Sequence, residues 1–422
     1  MSSISEFIAE HPVVDVHEHH IPELVSSDRV DLLKLFQQSY AGWTQERPYP
    51  LPSESRDGDP MLEASTPTTW AKIRPYLEES GSSMFVRNLL EGIQGLYEVP
   101  KSGISPSNWE EIDRQILKNH RNDSWHDQVL KKARIEHVIT DSYSDPLLDA
   151  KAAFGSHYSS VVRMNAFALG WHPDSLDHNG NSAHELLARL HLPAENFAQF
   201  LESIEEMVRT MPRRNQVAIK NALAYDRSID FSHSTKAEAK SVWGMSHPSF
   251  EDQKKFGDFI VDHFCTLCAA HQIPMQMHLG TAIIRGSHPM SVAPLIERHP
   301  KTKFLLMHLA YPWSRDLLGM AFVYRNIWLD LTWAALLSPS HFKLAFHEAI
   351  EVLPDDSRMM FGGDNWHAEE TFGTIKTFKR LIGEVLQEKI DTGYFDLDHG
   401  RRLASRILKH NAIDFFKLTP AC

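Results

Sequence analysis

The chain has 422 residues, with 43 basic and 55 acidic side chains and a formal net charge of −12. An acidic chain without a concentrated basic surface is a poor candidate for nucleic-acid binding, and only three cysteines exclude a disulfide scaffold. No apolar run approaches the ~20 residues that cross a bilayer, and the first residues do not look like a secretory signal. We therefore expect a cytoplasmic enzyme without membrane or nucleic-acid partners.

Short apolar, β-branched runs recur along the chain and alternate with longer helical patterns. This alternation indicates βα units around a buried parallel sheet. Eight such runs favour a (β/α)8 TIM barrel that forms a single domain over residues 1–422. A doubly wound open sheet is the alternative, although no GxGxxG follows the first run to favour it. The predicted strands are Val13–His19, Ile135–Asp141, Val161–Phe167, Gln216–Leu223, Ile273–Leu279, Thr302–Leu309, Ile327–Trp333 and Arg358–Asp364.

The regular alternation is interrupted once, between the first and second predicted strands. Residues Ile21–Ser107 are rich in Pro, Gly, Ser and aromatic side chains, and the helix Asn108–Lys132 then leads into the second strand. We interpret residues 21–107 as an insertion on the first βα loop. Because βα loops lie at the carboxyl ends of the strands, the insertion is expected to cap that face of the barrel. The other predicted helical stretches are Ser182–Thr210, Ser249–His271, Pro289–Arg298, Arg315–Arg325, Pro339–Val352, Glu370–Lys389 and Gly400–Lys417.

Polar residues occur at the ends of five otherwise apolar strands. A buried charge or imidazole costs several kcal/mol unless it is paired or coordinated, and the strand ends of a barrel converge at one mouth. His17 and His19 are two positions apart, so in a strand they project to the same side. Nitrogen and oxygen ligands without cysteine suit zinc, with manganese, iron or nickel as alternatives. The candidate metal ligands are His17, His19, Lys220, His278, His308 and Asp364.

Each of these residues also has a structural interpretation when it is taken alone. His278 and His308 could be hydrogen-bonded core histidines, Asp364 could cap a turn, and Lys220 could be an ion-pair partner. The six residues together are stronger evidence for a metal site than any one of them, because all of them occupy equivalent strand ends. Candidate substrate-binding residues at or just beyond the strand ends are His172, Tyr225, Arg285, Arg163 and Trp366.

The opening VVDVHEHH, the strand-end pattern and the closing ILKHNAIDFFKL resemble the amidohydrolase superfamily of metal-dependent TIM-barrel enzymes. The likeness is to its amidohydrolase-2 branch of hydrolases and nonoxidative decarboxylases, and residues 21–107 have no counterpart in it. The resemblance implies that His17 and His19 are metal ligands. Lys220 resembles a strand-four lysine that CO2 carboxylates in binuclear members, so we expect one ion, or two if Lys220 is carboxylated. The family also allows a homo-oligomer.

A metal centre of this kind implies a reaction in which a metal-activated water attacks the substrate. Asp364 is expected to accept and pass on the proton, and His308 to complete the ligand set or stabilise an oxyanion. The leading hypothesis is a hydrolase of an amide, lactam, ester or related C–N or C–O bond in a small molecule, with arginine available for an anionic group. The alternatives are a decarboxylase of an aromatic or unsaturated carboxylic acid, a sugar-acid isomerase and a non-enzymatic metal-binding barrel.

Overall fold

A parallel barrel forms the centre of the computed structural model, which describes residues 3–25, 30–42, 66–100 and 103–419. Within these ranges eight parallel strands form one sheet whose spatial order follows the chain, so the predicted (β/α)8 barrel is confirmed. Side chains such as Val16, Ile139, Val161 and Leu305 form an apolar cluster together with residues from the end of the chain. The strands are β1 Val13–Glu18, β2 Ile135–Thr140, β3 Tyr158–Arg163, β4 Gln216–Asn221, β5 Met275–Met277, β6 Phe304–Leu306, β7 Ile327–Asp330 and β8 Met359–Met360.

Hydrogen bonds just beyond β8 join its end to β1 and close the barrel. The backbone amides of Gly363 and Asp364 donate to the carbonyl oxygen of His17, at 3.2 Å and 2.7 Å. A Cβ at Gly363 would lie 2.2 Å from the Glu18 carboxylate, so a larger residue here would displace that carboxylate. The closure brings Asp364 beside the paired histidines of β1.

The third predicted strand, Val161–Phe167, is wrong in its bounds. The strand runs from Tyr158 to Arg163, and residues Asn165–Ala168 form a helical turn. Two buried serines occupy the first half of β3, and the Ser160 hydroxyl donates to the Leu148 carbonyl at 2.7 Å. Because a search for apolar runs passes over such serines, it places the strand too late in the chain.

Helices surround the barrel, and two of the predicted helical stretches divide. Ser182–Thr210 forms two helices because the segment around Pro193 leaves the helical conformation, and Asn196 caps the second helix. Asn108–Lys132 is also two helices. Following the cap, the α-helices are Trp109–His120, Trp125–Lys132, Ala150–Phe154, Asn165–Ala168, Ala183–Arg189, Phe197–Thr210, Lys236–Val242, Phe250–His271, Ala293–Arg298, Ser314–Val323, Ala334–Leu337, Pro339–Val352, Ala368–Asp391, Leu397–Ser405 and Asn411–Phe416.

The described part of the insertion is helical and packs against the helix that follows β8. Its helices are Pro22–Val25, Leu32–Gln37, Pro67–Glu79 and Met84–Leu96, whereas residues 26–29, 43–65 and 101–102 lie outside the described residues. A Cβ at Gly92 would lie 2.1 Å from the Glu369 carbonyl oxygen, and one at Gly373 would lie 2.3 Å from the Asn88 carbonyl oxygen. The backbones of Met84–Leu96 and Ala368–Asp391 are therefore in contact. No described helix has the length and apolarity needed to cross a membrane.

Candidate metal centre

Three side chains at the closure of β8 on β1 form a group that could hold a metal ion. Nε2 of His17 lies 3.2 Å from Nε2 of His19, and Oδ1 of Asp364 lies 3.7 Å and 3.1 Å from those two nitrogens. All three residues are buried. Zinc bonds of 2.0–2.1 Å to these atom types in a tetrahedron place neighbouring ligand atoms about 3.3 Å apart. The group therefore has the atoms and the spacing of one divalent-ion site.

The protonation states of these side chains suit metal binding. His19 donates from Nδ1 to the Asp141 carbonyl oxygen at 2.5 Å, which leaves the Nε2 lone pair free, as ligand histidines require. Burial and the neighbouring Lys220 ammonium lower the pKa of His17 well below its usual value. Burial opposes ionisation of Asp364, but the adjacent rings of His19, His17 and His308 still hold its pKa well below the usual range. The group thus offers two imidazole nitrogens and one carboxylate.

His308 and His278 form a hydrogen-bonded pair beside this group. Nε2 of His308 lies 2.9 Å from Nδ1 of His278, and Nδ1 of His308 lies 3.7 Å from Oδ2 of Asp364. The outer nitrogens of the pair face the carbonyl oxygens of Thr332 and Thr281, at 3.3 Å and 3.1 Å. Burial lowers the pKa of His308 to about 4. Two neutral rings have two N–H groups for these three contacts, so one of the contacts lacks a proton.

Lys220, on β4, lies between the ligand group and a buried ion pair. Its Nζ is 3.3 Å from Nε2 of His17 and 3.5 Å from Oδ2 of Asp141. Arg163, at the end of β3, donates to both carboxylate oxygens of Asp141, at 3.1 Å and 2.6 Å. Burial lowers the pKa of Lys220 to about 8. Asp141 follows β2 as the other polar residues follow their strands, so its position in the sequence already contained the signal, although we did not select it.

The backbone at three strand ends adopts left-handed conformations that non-glycine residues rarely take. The φ angles are 62° at His308, 63° at Trp333 and 67° at Asp364. Such conformations cost of order 1–3 kcal/mol each and concentrate at functional sites. Here they lie after β6, β7 and β8, where the chain must turn while its side chains point into the barrel mouth.

Aromatic rings form a roof over the group, and two of them, Tyr40 and Phe85, come from the insertion. The Tyr40 hydroxyl donates to Oδ1 of Asp364 at 2.9 Å, and its ring packs among Phe85, Trp333 and Trp366. Burial raises the pKa of Tyr40 well above its usual value, so its hydroxyl remains a donor. Sequence reasoning missed Tyr40 because nothing in the local sequence of the insertion distinguishes it from other aromatic residues.

The five predicted substrate-binding residues separate into two classes. Trp366 belongs to the roof, Tyr225 packs on the His278 ring at a centroid distance of 4.5 Å, and Arg163 contacts Asp141. His172 instead accepts from the Asp174 amide at 3.1 Å, and Arg285 is exposed in a short 3-10 turn. The structure therefore brings the first three to the site, whereas the role of His172 and Arg285 in substrate binding stays a prediction.

Comparison with known proteins identifies the family. The model of the family described as Amidohydrolase matches residues 183–418. Protein fluG of Emericella nidulans is 22% identical over 99% of this chain and 47% of its own length, so the chain spans about half of that curated relative. A putative metal-dependent hydrolase structure from Lactobacillus casei has a TM-score of 0.70 and 16% identity, and the match covers 99% of this chain and 98% of that chain. A uronate isomerase structure from Thermotoga maritima has a TM-score of 0.75 and 14% identity, with 98% and 96% covered.

These structural likenesses show a shared fold, and at such low identities they show no more than the fold. The family match is more specific, since it covers over half of the chain and includes four of the predicted ligand positions, Lys220, His278, His308 and Asp364. Together with the group of His17, His19 and Asp364, it supports a metal-dependent activity. The chain belongs to the amidohydrolase family.

Proposed function

We propose that this protein is a metal-dependent hydrolase that cleaves an amide, lactam, ester or related C–N or C–O bond of a small anionic molecule. The observation that carries the proposal is the buried group of His17, His19 and Asp364, whose ligand atoms have the spacing of a divalent-ion site. Two nitrogens and one carboxylate oxygen favour zinc, with manganese, iron and nickel as alternatives. A second ion would require carboxylated Lys220.

The side chains around the group have the properties that hydrolysis requires. A divalent ion held here would lower the pKa of a bound water toward ~7 and polarise a carbonyl group. Asp364 is ionised and can accept the proton of the attacking water and return it to the leaving group. His308 lies beside the group, with Nδ1 3.7 Å from Oδ2 of Asp364, and its proposed role is to complete the ligand set or to stabilise charge that develops on the substrate.

The charge balance of the mouth favours an anionic substrate. Arg163 and Lys220 face the carboxylate of Asp141, and Asp364 is a second ionised carboxylate that acts on Lys220. These four charges balance while Lys220 is protonated, so a divalent ion at the ligand group would make the mouth positive. Nη1 of Arg163 is buried and has no hydrogen-bond partner among the described residues. A buried guanidinium N–H without an acceptor is costly, and a substrate carboxylate would satisfy it.

An isomerase acting on a sugar acid is the second candidate. It is favoured by the uronate isomerase likeness, which spans 98% of this chain and therefore includes the region of the insertion. Such a reaction uses the same anion subsite but moves a proton between carbon atoms without consuming water. Decarboxylation is a third chemistry, and the assay below separates all three. The cytoplasmic location and the small-molecule partner remain predictions.

The test is metal analysis followed by a substrate screen. We expect about one zinc-class ion per chain and its loss in His17→Ala, whereas the matched control His233→Ala keeps the ion because that side chain is 72% exposed. The metal-loaded protein is then offered amides, lactams and esters with and without a carboxylate, together with uronates and aromatic acids. Acid release, ketose formation and CO2 release report the three reactions. Absence of bound metal, or ketose formation or CO2 release without hydrolysis, would refute the hydrolase proposal.

A further inference from the structure

Tyr40 is the residue of the insertion that contacts the ligand group. It is held in place both by its hydroxyl and by its backbone amide. Its hydroxyl donates to Oδ1 of Asp364 at 2.9 Å, and its backbone amide donates to Oε1 of Glu370 at 3.1 Å. The ring lies 4.9 Å from both the Trp333 and the Trp366 rings. Only 6% of the residue is exposed. Tyr40 is therefore a rigid hydrogen-bond donor at the roof of the site.

The position of the Tyr40 hydroxyl matters for the chemistry of the group. It contacts the same carboxylate oxygen of Asp364 that lies 3.1 Å from Nε2 of His19. An oxygen atom that reacts at this group must come close to the same atoms, so it lies within reach of the phenol, whose single O–H can turn from Asp364 to that oxygen. A preorganised donor at the place where negative charge develops typically contributes ~10²–10³ in kcat.

We propose that Tyr40 is a catalytic hydrogen-bond donor to the oxyanion that forms on the substrate, and that Glu370 is the residue that positions it. The proposal rests on the proposed function, because it assumes that a reacting group binds at the ligand group. It assigns a direct chemical role to the insertion, which thus supplies part of the active site.

Glu370 acts on the roof through two backbone contacts. One carboxylate oxygen accepts from the Tyr40 amide, and the other accepts from the Trp366 amide at 3.4 Å. Glu370→Gln keeps one oxygen but places an amide NH2 group opposite one of the two backbone N–H groups. One contact is then lost, and Tyr40 or the ring of Trp366 that packs on it shifts while the ligand group itself is unchanged.

The test uses acetohydroxamate, an anionic oxygen ligand, as a probe of the oxyanion position in the cobalt-substituted protein. Its visible spectrum reports binding without knowledge of the substrate. A hydrogen bond to a charged group is worth ~10-fold or more in affinity, so we expect Tyr40→Phe to weaken binding by at least about that factor. Glu370→Gln should weaken it less. Tyr394→Phe is the matched control, since Tyr394 is 55% exposed, and it should bind as the wild type does.

Several results would overturn the proposal. If Tyr40→Phe binds acetohydroxamate with wild-type affinity, Tyr40 is not a donor to the oxyanion. If that variant loses cobalt, the hydroxyl acts only by holding Asp364. Wild-type affinity in Glu370→Gln removes the positioning role. Circular dichroism of each variant separates unfolding from loss of the contact. If the wild type binds no cobalt, the proposed function fails instead, so the two failures are distinguishable.

Discussion

A single buried carboxylate, that of Glu369, joins three cap-side elements to the helix that follows β8. Its Oε1 accepts from the Tyr97 hydroxyl and from Nε2 of His120, both at 2.7 Å, and from Nε1 of Trp125 at 2.9 Å. These donors lie just after helix Met84–Leu96 and at the facing ends of the next two helices. We predict that Glu369→Gln weakens the attachment of the cap to the barrel.

The magnitude follows from the loss of charge. A hydrogen bond to a charged group contributes about 1.5–3 kcal/mol and a neutral one about 0.5–1.5 kcal/mol. The three donors of Glu369 would each lose about 1 kcal/mol, or about 3 kcal/mol together. Burial opposes ionisation of Glu369, but the adjacent His120 still holds its pKa well below the usual range, so the charge that the substitution removes is present at neutral pH.

The assay is urea unfolding followed by tryptophan fluorescence, together with limited proteolysis of the cap. With a slope of about 3 kcal/mol per molar urea, 3 kcal/mol lowers the midpoint by about 1 M. The matched control is Glu388→Gln on the same helix, because Glu388 is 64% exposed and pairs with His347 at 3.3 Å. Such a surface change is expected to stay within about 0.5 kcal/mol. Equal midpoints for the two variants would refute the reasoning.

Three further predictions concern the same structure. Gly92→Ala places a Cβ 2.1 Å from the Glu369 carbonyl oxygen, whereas at Gly81 the nearest atom would be 3.7 Å away; only the first should destabilise, by about 1–3 kcal/mol in urea unfolding. Burial lowers the pKa of His126 to about 3 from 6.5, so the unfolded chain binds its proton first and stability falls as the pH drops from 6.5 toward 3. His126→Gln should lower that slope by about 1.4 kcal/mol per pH unit relative to the wild type, and an unchanged slope would disprove the burial argument. Chelation should lower the melting temperature and zinc should restore it, because an ion at 100 times its Kd stabilises by about 2.7 kcal/mol; an unchanged melting temperature would contradict a metal site in the folded protein.

The sequence was sufficient to predict the architecture because each strand is a local apolar run. Seven of the eight predicted runs contain the observed strand from its first residue to its last, although β8 is reduced to Met359–Met360. Only β3 is displaced, since its buried serines break the apolar pattern. A strand that is buried on both faces must be apolar nearly throughout, so composition alone locates it, while the exact bounds depend on hydrogen bonds to other segments.

The candidate ligands were also predictable, for a related reason. A polar residue that ends a buried strand must find a partner, and in a barrel such residues share one mouth. The structure places His17, His19 and Asp364 together, with His278, His308 and Lys220 around them. His172 contacts Asp174 and Arg285 is exposed, so their role in substrate binding stays a prediction.

What the sequence determined by itself was the set of strands and the polar residues that end them, because both are local properties of the chain. Tertiary structure alone decided which distant side chains complete the site. Tyr40 and Asp364 are 324 positions apart, and they meet only because Gly92 and Gly373 allow two helices to touch and the buried carboxylates of Glu369 and Glu370 anchor the cap. Such contacts depend on the packing of whole elements, which no local pattern in the sequence records.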